Sequence, residues 1–227
     1  MLNSERTPFI LASGSPRRKE LLERFWGPGF IQIIVPDFDE SVMMSSVHAR
    51  VTVSPSLADP RSLVSRLAAG KLQALHNQYS LPDEYLALAA DTVVVLDDQV
   101  MGKPADHEEA RHMLNMLSGR THQVISGLSL DVMIEQQSLS LQATEVTNVR
   151  FARLSEEQIT WYVMTHEPFD KAGAYGIQGF GAAFVKQIDG CYYNVMGLPV
   201  NRLMVMLQQA HDHFSSCSPH IRLLPWN

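Results

Sequence analysis

The chain has 227 residues, of which 45% are hydrophobic, and it carries a net charge of −6 at pH 7. This length suffices for one well-packed domain or two small lobes, and so apolar a composition excludes intrinsic disorder. The acidic balance disfavours extended contact with nucleic acid or with an anionic membrane surface. We therefore expect small-molecule partners, with no nucleic acid and no membrane among them. Cys191 and Cys217 form neither a metal-type pair nor a disulfide framework and are interpreted as free thiols, so we expect a cytoplasmic protein.

The first predicted elements form a strand, a loop and a helix. The apolar run over 9–12 predicts a buried strand, and Pro16 suits the first position of a helix with Ser15 as its N-cap. Such a helix directs free N–H groups and a partial positive charge at the loop before it, where an anion can bind. Arg17 and Arg18 add two cations with forked donors that fit phosphate oxygens.

An acidic loop follows the next predicted strand, which covers residues 30–35. Asp37, Asp39 and Glu40 offer carboxylate oxygens, which Mg²⁺ and Mn²⁺ prefer as ligands. Taken alone, such a loop is more often a solvated turn, because Asp is common in turns. Residues 41–60 show no clear periodicity and are interpreted as a loop or insertion.

The next two predicted elements place charged residues in apolar surroundings. Residues 61–78 have the period of an amphipathic helix, and Lys71 interrupts its apolar stripe. The buried strand predicted over 86–96 contains Asp91, a carboxylate that is costly there unless it is paired or binds a metal. For Asp91 and Lys103 alone, an ion pair between them is the simpler interpretation.

The rest of the chain predicts a hairpin, three helices and a glycine-rich segment. Five glycines fall between Gly173 and Gly190, where Lys171, Tyr175 and Gln178 could approach a flat ligand. The remaining predicted elements are a turn at 97–98, a helix from the Asp106 cap to 117, strands over 122–133 and 139–151, a helix from the Ser155 cap to about 165, and a final helix over 199–214 before a loose tail. Alternating strands and helices predict an α/β fold with a mixed sheet.

Seven motifs together resemble the Maf-like nucleoside triphosphate pyrophosphatases, over residues 10–207. They are Leu-Ala-Ser-x-Ser-Pro-Arg-Arg at 11–18, Asp-x-Asp-Glu at 37–40, Arg-Leu-Ala-x-x-Lys at 66–71, Ala-Asp-Thr at 90–92, Gly-Lys-Pro at 102–104, Ser-Gly-Arg-Thr-His at 118–122 and Asp-Lys-Ala-Gly-Ala-Tyr-Gly-Ile-Gln-Gly at 170–179. The resemblance implies an elongated mixed sheet with flanking helices, forming two lobes around a cleft as in inosine triphosphatase. It implies one domain over 1–215, with an insertion at 41–60 and a C-terminal tail at 216–227.

The resemblance also implies an activity. The family hydrolyses a nucleoside triphosphate to the monophosphate and pyrophosphate with a divalent metal, Mg²⁺ or Mn²⁺. Pro-Arg-Arg, Ala-Asp-Thr and Ile-Gln-Gly are typical of the members that act on dTTP and UTP, and all three are present here. A homodimer is expected by the same resemblance.

Ten residues are assigned roles on this basis. Asp91 is the catalytic candidate, as general base or second metal ligand, and Glu40 is the metal ligand. Phosphates are assigned to Ser13, Arg17, Lys71 and Lys103, and selection of the base and sugar to Arg18, Thr92, Gln178 and Lys171. Two alternatives stay open: a non-catalytic nucleotide-binding regulator of cell division, and a purine-selective enzyme of the inosine triphosphatase type.

Overall fold

In a computed structural model, strands and helices alternate along the chain, and residues 7–40 and 59–226 are described. The predicted insertion therefore lies almost entirely outside the described residues. The strands are β1 (Phe9–Leu11), β2 (Ile31–Ile33), β3 (Tyr85–Leu96), β4 (Gln99–Met101), β5 (Thr121–Ile134), β6 (Gln137–Phe151) and β7 (Val185–Asp189). The helices are α1 (Pro16–Trp26), α2 (Pro60–Gln78), α3 (His107–Leu117), α4 (Glu156–Met164), α5 (Tyr192–Val195) and α6 (Val200–Phe214).

The seven strands form one mixed sheet in the order β2-β1-β3-β5-β6-β7, with β4 also paired to β3. β1 runs parallel to both of its neighbours, with Phe9 opposite Ile31 on one side and Leu86 on the other. β3 and β4 are antiparallel, and so are β6 and β7. The predicted α/β class with a mixed sheet and flanking helices is confirmed.

Two-residue turns close both hairpins. Asp97 and Asp98 join β3 to β4, and Glu135 and Gln136 join β5 to β6, all four with positive φ. Two consecutive residues with positive φ are the geometry of a type I′ turn, whose twist matches that of the flanking strands. The turn predicted at 97–98 is therefore confirmed.

The chain divides into two compact units, and the division passes through β3, β5 and β6. The first unit comprises the described residues of Met1–Asp91, Gly127–Thr144 and Val200–Asn227. Within it, Leu72 and Leu75 of α2 pack on Ile10, Ala87 and Ala89 of the sheet.

The second unit comprises Thr92–Ser126 and Glu145–Pro199. Its core joins residues of α3 and α4 with large aromatic side chains, among them Phe151, Tyr162, Tyr175 and Phe184. Among the residues that the structure describes, none of the helices combines the length and apolar character that crossing a bilayer requires.

Two segments differ from their predicted structure. The glycine-rich segment and the residues just before it contain three short 3₁₀ helices and β7, which the sequence did not indicate. The 3₁₀ helices are Glu167–Asp170, Ala172–Ala174 and Phe180–Phe184. The C-terminal segment was expected to be loose, yet Leu223 and Leu224 are buried. Isolated apolar residues among prolines and polar residues show no period, so this packing could not be predicted from the sequence.

Candidate active site

The loop between β1 and α1 has the predicted strand, loop and helix geometry. Ser15 is the N-cap residue of α1 and Pro16 opens the helix, but the Ser15 side chain makes no capping hydrogen bond. Ser13 organises the loop instead: its hydroxyl accepts hydrogen bonds from the Ser15 N–H at 3.3 Å and from Arg18 Nη1 at 3.0 Å. Ser13 thus lies in the loop before α1, where its hydroxyl binds Arg18.

Arg17 and Arg18 have different surroundings although they are neighbours. Arg18, Leu21 and Leu22 share the buried face of α1, at the i, i+3, i+4 spacing of an amphipathic helix, whereas Arg17 lies off that face and is partly exposed. Burial lowers the pKa of the Arg18 guanidinium, and the carboxylates of Asp91 and Glu40 oppose that shift. The structure therefore places Arg18 beside the acidic residues of the first unit.

Asp91 contacts Lys71 because the two residues lie on the faces of β3 and α2 that pack against each other. Alternate residues of a strand share one face, so Asp91 follows Ala87 and Ala89 on the face that packs against α2. Lys71 precedes Leu72 on that helix, and its Nζ lies 2.6 Å from Asp91 Oδ1. Both side chains are nearly buried, with exposed fractions of 12% for Lys71 and 11% for Asp91.

Glu40 reaches the same ammonium group. Its Oε1 lies 2.8 Å from Lys71 Nζ, although the Glu40 side chain is half exposed. Two carboxylates thus converge on one cation. No group of three or more potential protein ligands for a metal occurs within 7–40 and 59–226. Two carboxylates nevertheless fit Mg²⁺ or Mn²⁺, since such ions commonly take one or two carboxylates and complete their coordination with water and substrate phosphates.

Thr92 and Lys103 belong to the second unit. The Thr92 hydroxyl lies 2.8 Å from the Ser126 hydroxyl and donates to the carbonyl of Gly197 at 3.4 Å. Lys103 is exposed on the loop after β4. The carbonyl of Gly102, the residue before it, accepts a hydrogen bond from the Gly173 N–H at 3.0 Å, which joins this loop to the glycine-rich segment.

Gln178 and Lys171 lie in that glycine-rich segment. Gln178 is exposed directly after the buried Ile177. The ammonium group of Lys171 donates to the backbone carbonyl of Glu167 at 2.9 Å and to the carboxylate of Asp170. These contacts occupy Lys171 within the segment, whereas Gln178 presents its amide to solvent.

The model of one family, described as Maf-like protein, matches residues 8–210. The chain belongs to this family. The match includes every residue assigned a role from the sequence, from Ser13 to Gln178. The predicted resemblance to the Maf-like proteins is confirmed.

Three relatives at 42–50% identity carry the same name. A protein of Symbiobacterium thermophilum named dTTP/UTP pyrophosphatase is 50% identical over 200 residues, covering 88% of this chain and 92% of the relative. Proteins of the same name from Clostridium botulinum and Clostridioides difficile are 42% and 43% identical, covering 88% of this chain and 98% and 93% of theirs. A solved HAM1 protein from Coxiella burnetii matches at a TM-score of 0.45 and 16% identity, covering 89% of this chain and 99% of that one.

Two polar contacts of this Maf-like chain were not predicted from its sequence. His122 and Tyr175 share a buried hydrogen bond of 2.8 Å, and burial lowers the pKa of His122 to about 4. The Glu167 carboxylate contacts Tyr162 and the backbone around Gln178. A glutamate shortly before a glycine-rich turn was the available signal, but no sequence pattern indicates which nearby donors it contacts.

Proposed function

We propose that this Maf-like protein is a nucleoside triphosphate pyrophosphatase that hydrolyses dTTP and UTP to the monophosphate and pyrophosphate. The observation that carries the proposal is the convergence of Asp91 and Glu40 on Lys71, at 2.6 and 2.8 Å. A protein that only bound nucleotides would need the cations but not two carboxylates on one of them. The printed names of relatives at 42–50% identity support the same activity.

The phosphates of the substrate are assigned to the cations. Arg17 is partly exposed in the first turn of α1 and can turn its guanidinium to the ligand. Lys71 can exchange a carboxylate for a phosphate oxygen, while Ser13 and Arg18 hold the loop at the N-terminus of α1. Lys103 is exposed in the second unit and is proposed as a further phosphate ligand.

Glu40 would hold the divalent metal, Mg²⁺ or Mn²⁺, and Asp91 would be its second ligand only in the alternative in which Asp91 is not the base. Such an ion, once bound, neutralises part of the charge on the phosphate oxygens. With Glu40 assigned to the metal, Lys71 could exchange this one carboxylate for a phosphate oxygen and keep its contact with Asp91. We propose Glu40 as the main metal ligand because its side chain is the more accessible of the two.

Asp91 is proposed as the group that activates water. Water attacks the α-phosphorus, the bond from that phosphorus to the bridging oxygen breaks, and pyrophosphate leaves. Asp91 accepts the proton of the water, and Lys71 balances the charge of the carboxylate before the attack. A positioned base contributes on the order of 10²–10⁴ in rate.

Gln178 is proposed to select the base. Its amide offers an acceptor and two donors, which match the O4 and N3–H edge of uracil or thymine. Thr92 is also proposed to contribute to selection of the base and sugar, through a hydroxyl already fixed by Ser126. Arg18 and Lys171 make contacts that favour supporting roles, with Arg18 holding Ser13 and Lys171 holding the carbonyl of Glu167.

A panel of nucleoside triphosphates tests the proposed activity. The protein is incubated with UTP, dTTP, CTP, GTP and ITP under Mg²⁺ or Mn²⁺, and the products are identified. UMP and pyrophosphate from UTP, with less from CTP and GTP, support the proposal. A preference for ITP would favour the purine-selective alternative, and binding without hydrolysis would favour the regulator. A homodimer stays a prediction, which sedimentation would test.

A further inference from the structure

The carboxylate of Glu167 receives hydrogen bonds from three directions. Its Oε2 accepts from the N–H of Phe180 at 2.9 Å. Its Oε1 accepts from the Tyr162 hydroxyl at 2.9 Å and from the N–H of Gly181 at 3.3 Å. One side chain therefore holds the backbone just after Gln178.

Tyr162 extends the same network to the backbone before Gln178. Its hydroxyl accepts a hydrogen bond from the buried N–H of Gly176 at 3.0 Å while it donates to Glu167. Burial raises the pKa of this hydroxyl, and the adjacent Glu167 carboxylate adds to that rise. These surroundings favour the protonated hydroxyl, which is the form that donates to Glu167.

Gly179 shows how closely the carboxylate approaches the turn. A Cβ atom at this position would lie 2.1 Å from Glu167 Oε2 and 2.4 Å from its Cδ. Contacts below 3.0 Å are too short for real Cβ atoms, so the turn can accept the carboxylate only where residue 179 has no side chain. The segment 176–181 is thus closed around Glu167, and Gln178 lies in its exposed part together with Gly179 and Phe180.

We propose that Glu167 is a positioning residue for base selection, which fixes the turn that presents the Gln178 amide to the base. The inference rests on the proposed function and adds to it a residue that does not touch the substrate. An amide selects a base only if its donor and acceptor are held in place, because a freely rotating amide can match either pattern of hydrogen bonds. Glu167 restrains the backbone after Gln178 directly and the backbone before it through Tyr162, which limits the positions from which the amide can reach a base.

A carboxylate is suited to this position because both of its oxygens accept hydrogen bonds. The groups that face it are N–H donors of Phe180 and Gly181 and the O–H of Tyr162. An amide would direct its own NH₂ group at one of these donors, so that one contact would be lost. Glu167→Gln therefore changes the turn with almost no change in volume.

Glu167→Gln is compared with the wild type by kcat/KM for UTP, CTP and GTP. We expect the preference for UTP over CTP to fall at least about fivefold, as expected for one lost hydrogen bond. Inhibition by inorganic tripolyphosphate, which has no base, should stay unchanged. Glu157→Gln removes the same charge at an exposed position of α4 and should keep the wild-type preference.

Two further variants distinguish positioning from a general loss of structure. In a Gln178→Ala background, Glu167→Gln should change the UTP preference no further, because the amide that it positions is gone. Tyr162→Phe should lower the preference in the same direction as Glu167→Gln. Hydrogen exchange of the Phe180 and Gly181 amides should become faster in Glu167→Gln.

The outcomes separate the two proposals. A wild-type protein that releases no pyrophosphate from UTP would overturn the proposed function, and the role of Glu167 in base selection would fall with it. A selective wild type together with an equally selective Glu167→Gln variant would overturn only the inference on Glu167. A variant that loses tripolyphosphate binding along with its preference would also overturn it, since the effect would then extend beyond the base.

Discussion

Lys71 and Asp91 form a nearly buried ion pair in which Nζ lies 2.6 Å from Oδ1. The pair joins α2 to β3 and places the only acidic residue of a buried strand against a cation. Glu40 shares that cation from the loop after β2. A nearly buried ion pair whose cation could bind a substrate instead is a feature expected of a catalytic site.

Asp91→Asn should abolish nearly all turnover and also lower the free energy of unfolding, by about 1–3 kcal/mol. The substitution removes the charge that balances Lys71 and opposes the effect of burial on Arg18. Chemical denaturation and pyrophosphate release measure the two effects. Asp131→Asn is the matched control, since Asp131 also pairs with α2, through His76 at 2.8 Å. It should lose stability and keep turnover, and an active Asp91→Asn protein would remove Asp91 from the chemistry.

Glu40→Ala should lose activity in a way that excess Mn²⁺ partly restores. A lost ligand weakens binding of the metal before it disturbs the cations that hold the phosphates. The measurement is activity across a titration of Mn²⁺ for both proteins, with Asp37→Ala as the control from the same exposed loop. The same fractional loss at every Mn²⁺ concentration would assign Glu40 a different role.

Arg17→Ala and Arg18→Ala should separate binding from folding. Arg17 is partly exposed, so its loss should raise KM for UTP with little change in the melting temperature. Arg18 is buried against Ser13, so its loss should remove one of the two donors to a buried hydroxyl, leave a cavity and lower the melting temperature clearly. Equal effects of the two substitutions on stability would contradict the difference in their surroundings.

Lys103→Ala should behave like Arg17→Ala. The side chain is exposed, so the fold should tolerate its removal, while KM for the triphosphate rises. Kinetics and thermal melting of the same preparation decide the question. A lower melting temperature with unchanged kinetic constants would make Lys103 a structural residue.

His122 should make stability depend on pH between about 4 and 6.5. Burial lowers its pKa to about 4, so the folded protein binds fewer protons than the unfolded chain in this range. The contribution of neutral His122 to the free energy of unfolding is therefore fully present above pH 6.5 and is lost as the pH falls toward 4. From pH 7 to pH 5 this residue should cost about 2 kcal/mol.

Denaturation of His122→Gln at both pH values tests that dependence. The variant should lose about 2 kcal/mol less than the wild type between pH 7 and pH 5, because it cannot take up the proton. His112→Gln, at an exposed position of α3, should lose as much as the wild type. Equal losses in all three proteins would contradict the neutral, buried state of His122.

Much of the fold could be predicted from the sequence. Helix α1 begins at Pro16 after the N-cap Ser15, as predicted, and the Ser155 capping box of α4 is present. These elements depend on local patterns, namely a cap, a proline or an apolar period. The 3₁₀ helices and β7 could not be predicted in the same way, because this backbone takes its conformation from contacts that no local pattern indicates, such as those of Glu167 with Phe180 and of Gly102 with Gly173.

The sequence indicated the charged residues of the candidate site more readily than the contacts between them. The sequence indicated Lys71 and Asp91 as charges in apolar elements, but it suggested Lys103 as the simplest partner of Asp91, and the structure pairs Asp91 with Lys71. Pairing depends on which helix packs against which strand, which a single sequence does not specify. The signal for the burial of Arg18 was its spacing from Leu21 and Leu22, at i+3 and i+4, which places all three on one face of α1.

The central claim is the hydrolysis of UTP to UMP and pyrophosphate, and product analysis of one reaction tests it most directly. The wild-type protein is incubated with UTP and Mg²⁺ beside equal concentrations of CTP and GTP, and Asp91→Asn is run in parallel. We expect UMP and pyrophosphate in equal amounts, faster than any product from CTP or GTP, and almost none from the variant. Release of inorganic phosphate with UDP, or equal rates for the three nucleotides, would contradict the account.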